Sequence, residues 1–210
     1  MKTMIDLFCG SKSMGNVFEE GGFKVETSDV VEEFNPTILK DFMDIESLKG
    51  FDVVWASPPC TTFSVASIST HWKGGKEAYI PKTEKCEKAL LLIEHLIKLI
   101  AEAKPKYWFI ENPRGVLRKV IDKIFKKYGL DPVRHTLTYC QYGDSRMKPT
   151  DIWTNCTHWR SKPMCKNGMP CHISAPRGAK TGTQGLKNNY ERSKIPKELC
   201  MEILKQIKGS

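Results

Sequence analysis

Apolar and polar positions along the chain fall into short apolar runs separated by longer stretches with helical spacing. Thr3 to Cys9 is a short, mostly apolar run around Asp6 and reads as a strand; Gly10, Ser11, Ser13 and Gly15 then open a turn into a helix that Gly21 and Gly22 stop. Phe23 to Val30 alternates apolar and polar residues, and Phe51 to Ala56 is an almost continuous apolar run, the pattern of a buried parallel strand. From Lys82 to Ala103 the residues Ala89, Leu92, Ile93, Leu96 and Ile100 recur at helical spacing, and Lys104-Pro105 ends that helix before a strand from Tyr107 to Ile110. Gly115 to Tyr128 predicts the next helix, Arg134 to Tyr142 and Thr150 to Thr154 a closing β pair, and Pro196 to Ile207 a final amphipathic helix. Asn155 to Asn189 has no periodicity, and the chain shows no internal repeat or low-complexity tract.

This alternation predicts an α/β fold with a doubly wound sheet, in which ligands sit at the carboxyl ends of the strands. The predicted ends are Cys9-Gly10, Asp29, Ser57 to Cys60 and Glu111-Asn112, so the unusual chemistry collects on one rim. At 210 residues the chain has room for one domain with a sizeable core. The longest apolar run, Ala89 to Ala103, is interrupted by Glu94, His95 and Lys98, which excludes a membrane-spanning helix. Met1 to Gly10 lacks the order of a secretory signal, so a cytoplasmic protein with no membrane partner is expected, its eight cysteines reduced. The net charge of +9 is unevenly spread: residues 1–70 hold 5 basic and 11 acidic side chains, which leaves the remainder strongly basic. That asymmetry favours a polyanionic partner.

Four strand ends carry candidate chemistry. Asp6-Leu7-Phe8-Cys9-Gly10 with Gly15 puts small residues in the first strand-to-helix turn, where a ligand meets free N–H groups; the turn lacks the features of a triphosphate or dinucleotide loop. Asp29, at the end of the second strand, has the position from which a carboxylate accepts both hydroxyls of a ribose, with a plain turn residue as the alternative. Ser57-Pro58-Pro59-Cys60 follows a buried strand, and two prolines fix the backbone that aims Cys60, a potential nucleophile where a buried structural cysteine is the competing reading. Glu111-Asn112-Pro113 offers a carboxyl at the adjacent strand end.

In order and spacing together these segments resemble the cytosine-5 DNA methyltransferases that use S-adenosylmethionine. DLFCG with Gly15 resembles the family's cofactor loop, Thr27-Ser28-Asp29 its ribose acid, Asp44-Ile45 its adenine-contacting pair, Pro58-Pro59-Cys60 with Thr61-Thr62-Phe63-Ser64 its nucleophile loop, and Glu111-Asn112-Pro113 its ENV motif. The resemblance implies a Rossmann-like, S-adenosylmethionine-dependent methyltransferase sheet with a small irregular basic appendage. It also implies that Cys60 adds to C6 of a flipped cytosine while Glu111 holds the base, with Pro58 beside the cofactor. The family's Gln-x-Arg-x-Arg signature is replaced here by Gln141 to Thr150, in which Arg146 is taken as the catalytic cation and Lys148 is the alternative. Thr61 to Ile80 would form the loop that closes over duplex DNA, with Ser64, Lys73 and Lys76 toward phosphate. The same chemistry on RNA or on a free cytosine nucleotide competes with this reading, as does a non-catalytic nucleic-acid-binding module.

The organisation expected is a catalytic core at 1–154, a small target-recognition-like segment at 155–189 and a C-terminal helix at 190–210 that returns to the core. The middle segment is short for recognition, so a protein partner for that task is also entertained. Its basic residues, with Trp159 interleaved, suit phosphate contact and stacking; Arg177 lies in a glycine-rich tract, and Gln184 is assigned to the gap left by a flipped base. A loop of this size needs a staple. Cys156, His158, Cys165 and Cys171, with His172 adjacent, supply soft ligands for one structural zinc, against the alternative of unligated thiols.

Overall fold

The computed structural model describes residues 1–166, 168–173 and 189–209, and of Lys76, Glu77 and Asn189 the backbone alone. Its elements in chain order are β1 (Thr3–Leu7), α1 (Ser13–Glu20), β2 (Lys24–Asp29), β3 (Ile38–Leu39), β4 (Val53–Ala56), α2 (Ile68–His71), β5 (Trp72–Lys73), α3 (Gly75–Ala78) and β6 (Ile80–Pro81). They continue with α4 (Glu84–Ala103), β7 (Tyr107–Pro113), α5 (Leu117–Lys127), β8 (Val133–Thr138), β9 (Pro149–Thr154), α6 (Asn189–Ser193) and α7 (Lys197–Lys208).

Seven strands form one sheet in the order β3-β2-β1-β4-β7-β9-β8, in which β9 alone runs antiparallel to its neighbours. Side-chain alternation along the strands divides the core between the two faces. Ile5, Leu7, Val54, Ala56, Trp108 and Ile110 pack with residues of α4 and α5 on one face. Met4, Val53, Trp55, Tyr107 and Phe109 pack with residues of α1 and α7 on the other. Both faces are therefore covered, as the doubly wound reading requires.

Local chemistry sets the boundaries. Thr83 caps α4 by accepting the Cys86 N–H, and Lys104 in a left-handed conformation followed by Pro105 ends it. β1 stops at Leu7, two residues before the expected end, because Phe8 turns left-handed at φ 57°. β7 runs on to Pro113 because β9 keeps pairing with it, Pro113 opposite Thr150. β8 ends at Thr138; Tyr139–Tyr142, expected to continue the strand, is a 3-10 turn closed by left-handed Gly143. Among the described residues no helix is long and apolar enough to cross a membrane.

The C-terminal segment returns to the first turn. Lys197 pairs with Glu20 at 3.1 Å, the Ile195 N–H donates to Ser13 Oγ at 3.2 Å, and the Tyr190 ring lies 5.9 Å from Phe34.

Candidate active site

The parallel register aligns the functional turns: Leu7 pairs with both Ser28 and Ala56, and Ala56 pairs with Ile110. The turn after β1, Asp29, the loop after β4 and Glu111 consequently share one rim.

At the first turn Asp6 is buried, and its Oδ2 accepts the Gly15 N–H at 2.9 Å. Burial outweighs that hydrogen bond and pushes the Asp6 carboxyl up to about 7. A Cβ at Gly15 would stand 3.1 Å from Asp6 Oδ2 and 3.4 Å from the Thr27 methyl, so glycine keeps the helix start close to the strand. Asp29 accepts the N–H groups of Gly10 and Val31, each at 3.0 Å, and the Cys9 N–H binds the Ser28 carbonyl at 3.0 Å. Leu7 belongs to the core, while Phe8 packs on Phe42 at a centroid distance of 4.8 Å. Asp44 and Ile45 follow in the next turn, where the Ile45 carbonyl meets His95 Nε2 at 2.9 Å. They also line a cavity of about 300 Å³ with Ile5, Ile38 and Phe51, which lacks Asp29 and Phe8 and is thus not by itself the ligand cleft. These residues fit a nucleoside ligand: a glycine cradle a Cβ would fill, a desolvated carboxyl beneath it, and an acid at the second strand end.

The second half of the site lies between β4 and β7. Asn112, fully buried, donates from Nδ2 to the Pro58 carbonyl at 2.9 Å and ties the Ser57 to Cys60 loop to the Glu111 strand. The Cys60 carbonyl accepts the N–H groups of Phe63 and Ser64, each at 3.0 Å, which closes a tight turn beneath the thiol. Gly115 permits the next contact: a Cβ there would lie 2.1 Å from the Phe63 carbonyl oxygen, which the Val116 N–H binds at 2.8 Å. Glu111 is buried; its Oε1 accepts the Tyr139 hydroxyl at 2.8 Å and lies 3.8 Å from Lys148 Nζ. Lys148 is also buried, with its ammonium 4.7 Å from the centre of the Tyr139 ring. Burial is the largest influence on the Cys60 thiol and pushes it up from its ordinary value; Lys148 pulls it down and Glu111 pushes it up.

The two cations of the 141–150 segment have different partners. The Arg146 guanidinium binds Asp144 and the carbonyls of Glu191, Arg192 and Lys194, so it clamps the C-terminal segment. Lys148 is the cation that faces Glu111. Sequence reasoning also passed over Tyr139 and Gly115, whose signals, an aromatic at a strand end and a glycine two residues after Pro113, are weak in isolation.

The nucleic-acid candidates divide differently. Ser64 caps the short 3-10 turn Val65–Ser67 through its hydroxyl, and Lys73 is exposed on β5. The loop that carries them is pinned by buried Phe63 and Trp72, and the Trp72 indole donates to the Thr62 carbonyl at 2.7 Å. The Lys76 side chain, Arg177 and Gln184 lie outside the described residues. Trp159 is fully buried and donates to Glu202 at 2.9 Å, so it anchors the appendage to α7 and is no stacking platform.

The expected zinc ligands fall into two groups in the fold. Cys165 and Cys171 come together, but with Cys140 and His172; Cys156 and His158 stand as a separate pair, Cys156 Sγ 3.5 Å from His158 Nε2. Cys156 lies two positions beyond the last residue of β9, whereas Cys140 lies two positions beyond β8, at the end that pairs with the first residue of β9. The length of a strand separates them.

Residues 2–129 match the C-5 cytosine-specific DNA methylase family. A probable DNA (cytosine-5)-methyltransferase of Frog virus 3 (isolate Goorha) is 28% identical over 96% of this chain and 98% of its own length. The type II methyltransferase M.XorII of Xanthomonas oryzae pv. oryzae is 25% identical over 66% of this chain, a match that spans 37% of that protein. Two solved structures share the fold. The Entamoeba histolytica methyltransferase EhMeth aligns with a TM-score of 0.53 at 18% identity, over 73% of this chain and 52% of that one. A putative DNA modification methyltransferase from an E. coli prophage aligns at 0.52 and 16%, over 73% and 46%. This chain thus spans about half the length of those two.

Proposed function

The chain belongs to the C-5 cytosine-specific DNA methylase family, and from that membership we propose that it methylates C5 of a cytosine flipped out of duplex DNA through a transient covalent bond to Cys60. The observation that carries this reading is the fastening of Cys60 beside Glu111: the Asn112 amide holds the Pro58 carbonyl at 2.9 Å, and Lys148 lies 3.8 Å from the Glu111 carboxylate.

S-adenosylmethionine, when bound, supplies an electrophilic methyl group. Phe8, Cys9 and Gly10 would line it, Asp29 would take its ribose hydroxyls, Asp44 and Ile45 its adenine, and Pro58 would border it. Unactivated C5 of cytosine is a poor nucleophile. Cys60 Sγ, having given up its proton, forms a bond to C6, and the displaced electron pair moves to C5 while Glu111 holds the N3 and amino edge of the base. After C5 has accepted the methyl group it loses its proton to water, the electrons return to the ring, and the Sγ–C6 bond breaks to release Cys60. Burial opposes the thiolate this needs, and Lys148 is the neighbour that favours it most, with Arg192 adding to it. Ser64, Lys73, Lys76 and Arg177 are assigned to phosphate, Gln184 to the gap in the helix, and target choice to residues 155–189, with a protein partner assisting.

The test is incubation of the purified chain with S-adenosylmethionine and, separately, duplex DNA, single-stranded DNA, transfer RNA and dCMP, followed by nucleoside mass spectrometry. We expect 5-methyldeoxycytidine in duplex DNA and none with Cys60→Ala, which still binds the cofactor. DNA containing 5-fluorocytosine should trap a denaturation-resistant complex with the wild type only. Methylation of transfer RNA or dCMP in place of DNA overturns the substrate, and trapping by Cys60→Ala overturns the nucleophile.

A further inference from the structure

Cys140, Cys165, Cys171 and His172 converge on one point, their four ligand atoms all within 4.8 Å of one another. Cys165 Sγ is 3.2 Å from Cys171 Sγ and 3.6 Å from His172 Nδ1, and Cys171 Sγ is 3.7 Å from the same nitrogen. Ligands of a tetrahedral zinc, with Zn–S of about 2.3 Å and Zn–N of about 2.0 Å, stand roughly 3.5–3.8 Å apart, close to the separations among Cys165, Cys171 and His172, and Cys140 Sγ lies within 4.8 Å of all three. A disulfide needs two sulfurs at about 2.05 Å and gives no reason for a third thiol and an imidazole to join them. The surroundings are built for the cluster. The Cys165 N–H donates to Thr138 Oγ1 at 2.8 Å, the Ile173 N–H to the Ser145 carbonyl at 2.8 Å, and Gln141 Nε2 approaches Cys171 Sγ at 3.5 Å, a donor suited to a thiolate ligand.

We propose that Cys140, Cys165, Cys171 and His172 bind one structural zinc that staples the basic appendage to the turn supporting the catalytic carboxylate. Three thiols release their protons to solvent on binding, and four protein ligands close the shell, so the ion performs no catalysis. Its place in the fold gives it a purpose. Cys140 adjoins Tyr139, whose hydroxyl holds Glu111 at 2.8 Å, and Cys165, Cys171 and His172 belong to the 155–189 segment. One ion thereby joins that segment to the residue that supports Glu111. Neither the ligand set nor its test depends on methyl transfer.

The experiment is metal analysis of the full chain, produced in zinc-supplemented medium under reducing conditions, by inductively coupled plasma mass spectrometry. About one zinc per chain is expected. Cys171→Ser and Cys140→Ser should each lose most of it, while Cys156→Ser and His158→Ala keep it. Should Cys140→Ser not fold, exchange of the wild type with Co²⁺ reads the same shell: thiolate charge-transfer bands with intense d–d absorption support it, and weak octahedral bands overturn it. A metal-free wild-type chain, an intact mass two hydrogens light with a Cys165–Cys171 disulfide, or zinc lost with Cys156→Ser and kept with Cys171→Ser would each overturn the proposal. Absence of methyl transfer in a zinc-loaded chain would bear on the activity alone.

Discussion

Replacing Lys148 with Met tests the electrostatic centre of the site. Its Nζ lies 3.8 Å from Glu111 Oε1, and the two side chains are 8% and 6% exposed. At an effective dielectric constant of about 20 two unit charges at that distance attract by roughly 4 kcal/mol, against which the pair has already given up hydration. The net worth of the pair is therefore small, but removal of one member leaves the other charge buried alone, a loss of about 3 kcal/mol. Glu111→Gln should cost less, because Gln still accepts the Tyr139 hydroxyl and Lys148 keeps the Arg192 carbonyl at 3.5 Å. The double variant should recover much of the loss, with a coupling of about 2–3 kcal/mol in a double-mutant cycle read by urea unfolding. Lys148→Met should also slow iodoacetamide alkylation of Cys60 at fixed pH, followed by peptide mass spectrometry, because the neighbour that pulls its thiol down most is gone. A coupling below about 0.5 kcal/mol, with unchanged alkylation, would mean that solvent or Tyr139 balances Glu111 and that Lys148 does not tune the nucleophile.

Two further outcomes follow from the same geometry. Gly115→Ala would place a methyl 2.1 Å from the Phe63 carbonyl oxygen, a backbone atom that moves only with the Cys60 loop. We expect a loss of about 2 kcal/mol or more in urea unfolding, with Cys60 trapping reduced further than cofactor affinity; a variant as stable and as easily trapped as wild type would refute that close approach. Asp6 ionises near 7 when folded against 3.8 for an unperturbed group. The folded state thus holds its proton over a range where the unfolded state has lost it. Stability from this group is intact below the lower value, falls as pH rises between the two, and is reduced by about 4 kcal/mol above the upper. Asp6→Asn, whose amide oxygen still accepts the Gly15 N–H, should flatten that part of the decline between pH 4 and 7; an unchanged slope in unfolding measurements at pH 5 and pH 8 would refute the burial argument.

The half of the site that was legible in the sequence is the half built by parallel strands. Cys9-Gly10, Cys60 and Glu111 each follow or end an apolar run and Asp29 an alternating one, and in a parallel sheet the ends of successive strands fall on one rim by topology alone, so linear order carries spatial information. The illegible half begins where β9 enters between β7 and β8 in the opposite sense. Reversal makes the residues just before β9 neighbours of the rim, which is why Lys148 reaches Glu111 while Arg146, two positions earlier and beyond the turn closed by left-handed Gly143, faces the C-terminal carbonyls. It also carries Cys156 to the far end of a six-residue strand, roughly 17 Å from the end that holds Cys140, although both count as soft ligands near the same loop. Linear spacing among cysteines identifies ligands only when a single turn or hairpin joins them. Here Cys140 is contributed from across a strand pair, where it lies 25 positions before Cys165 and yet belongs to its shell.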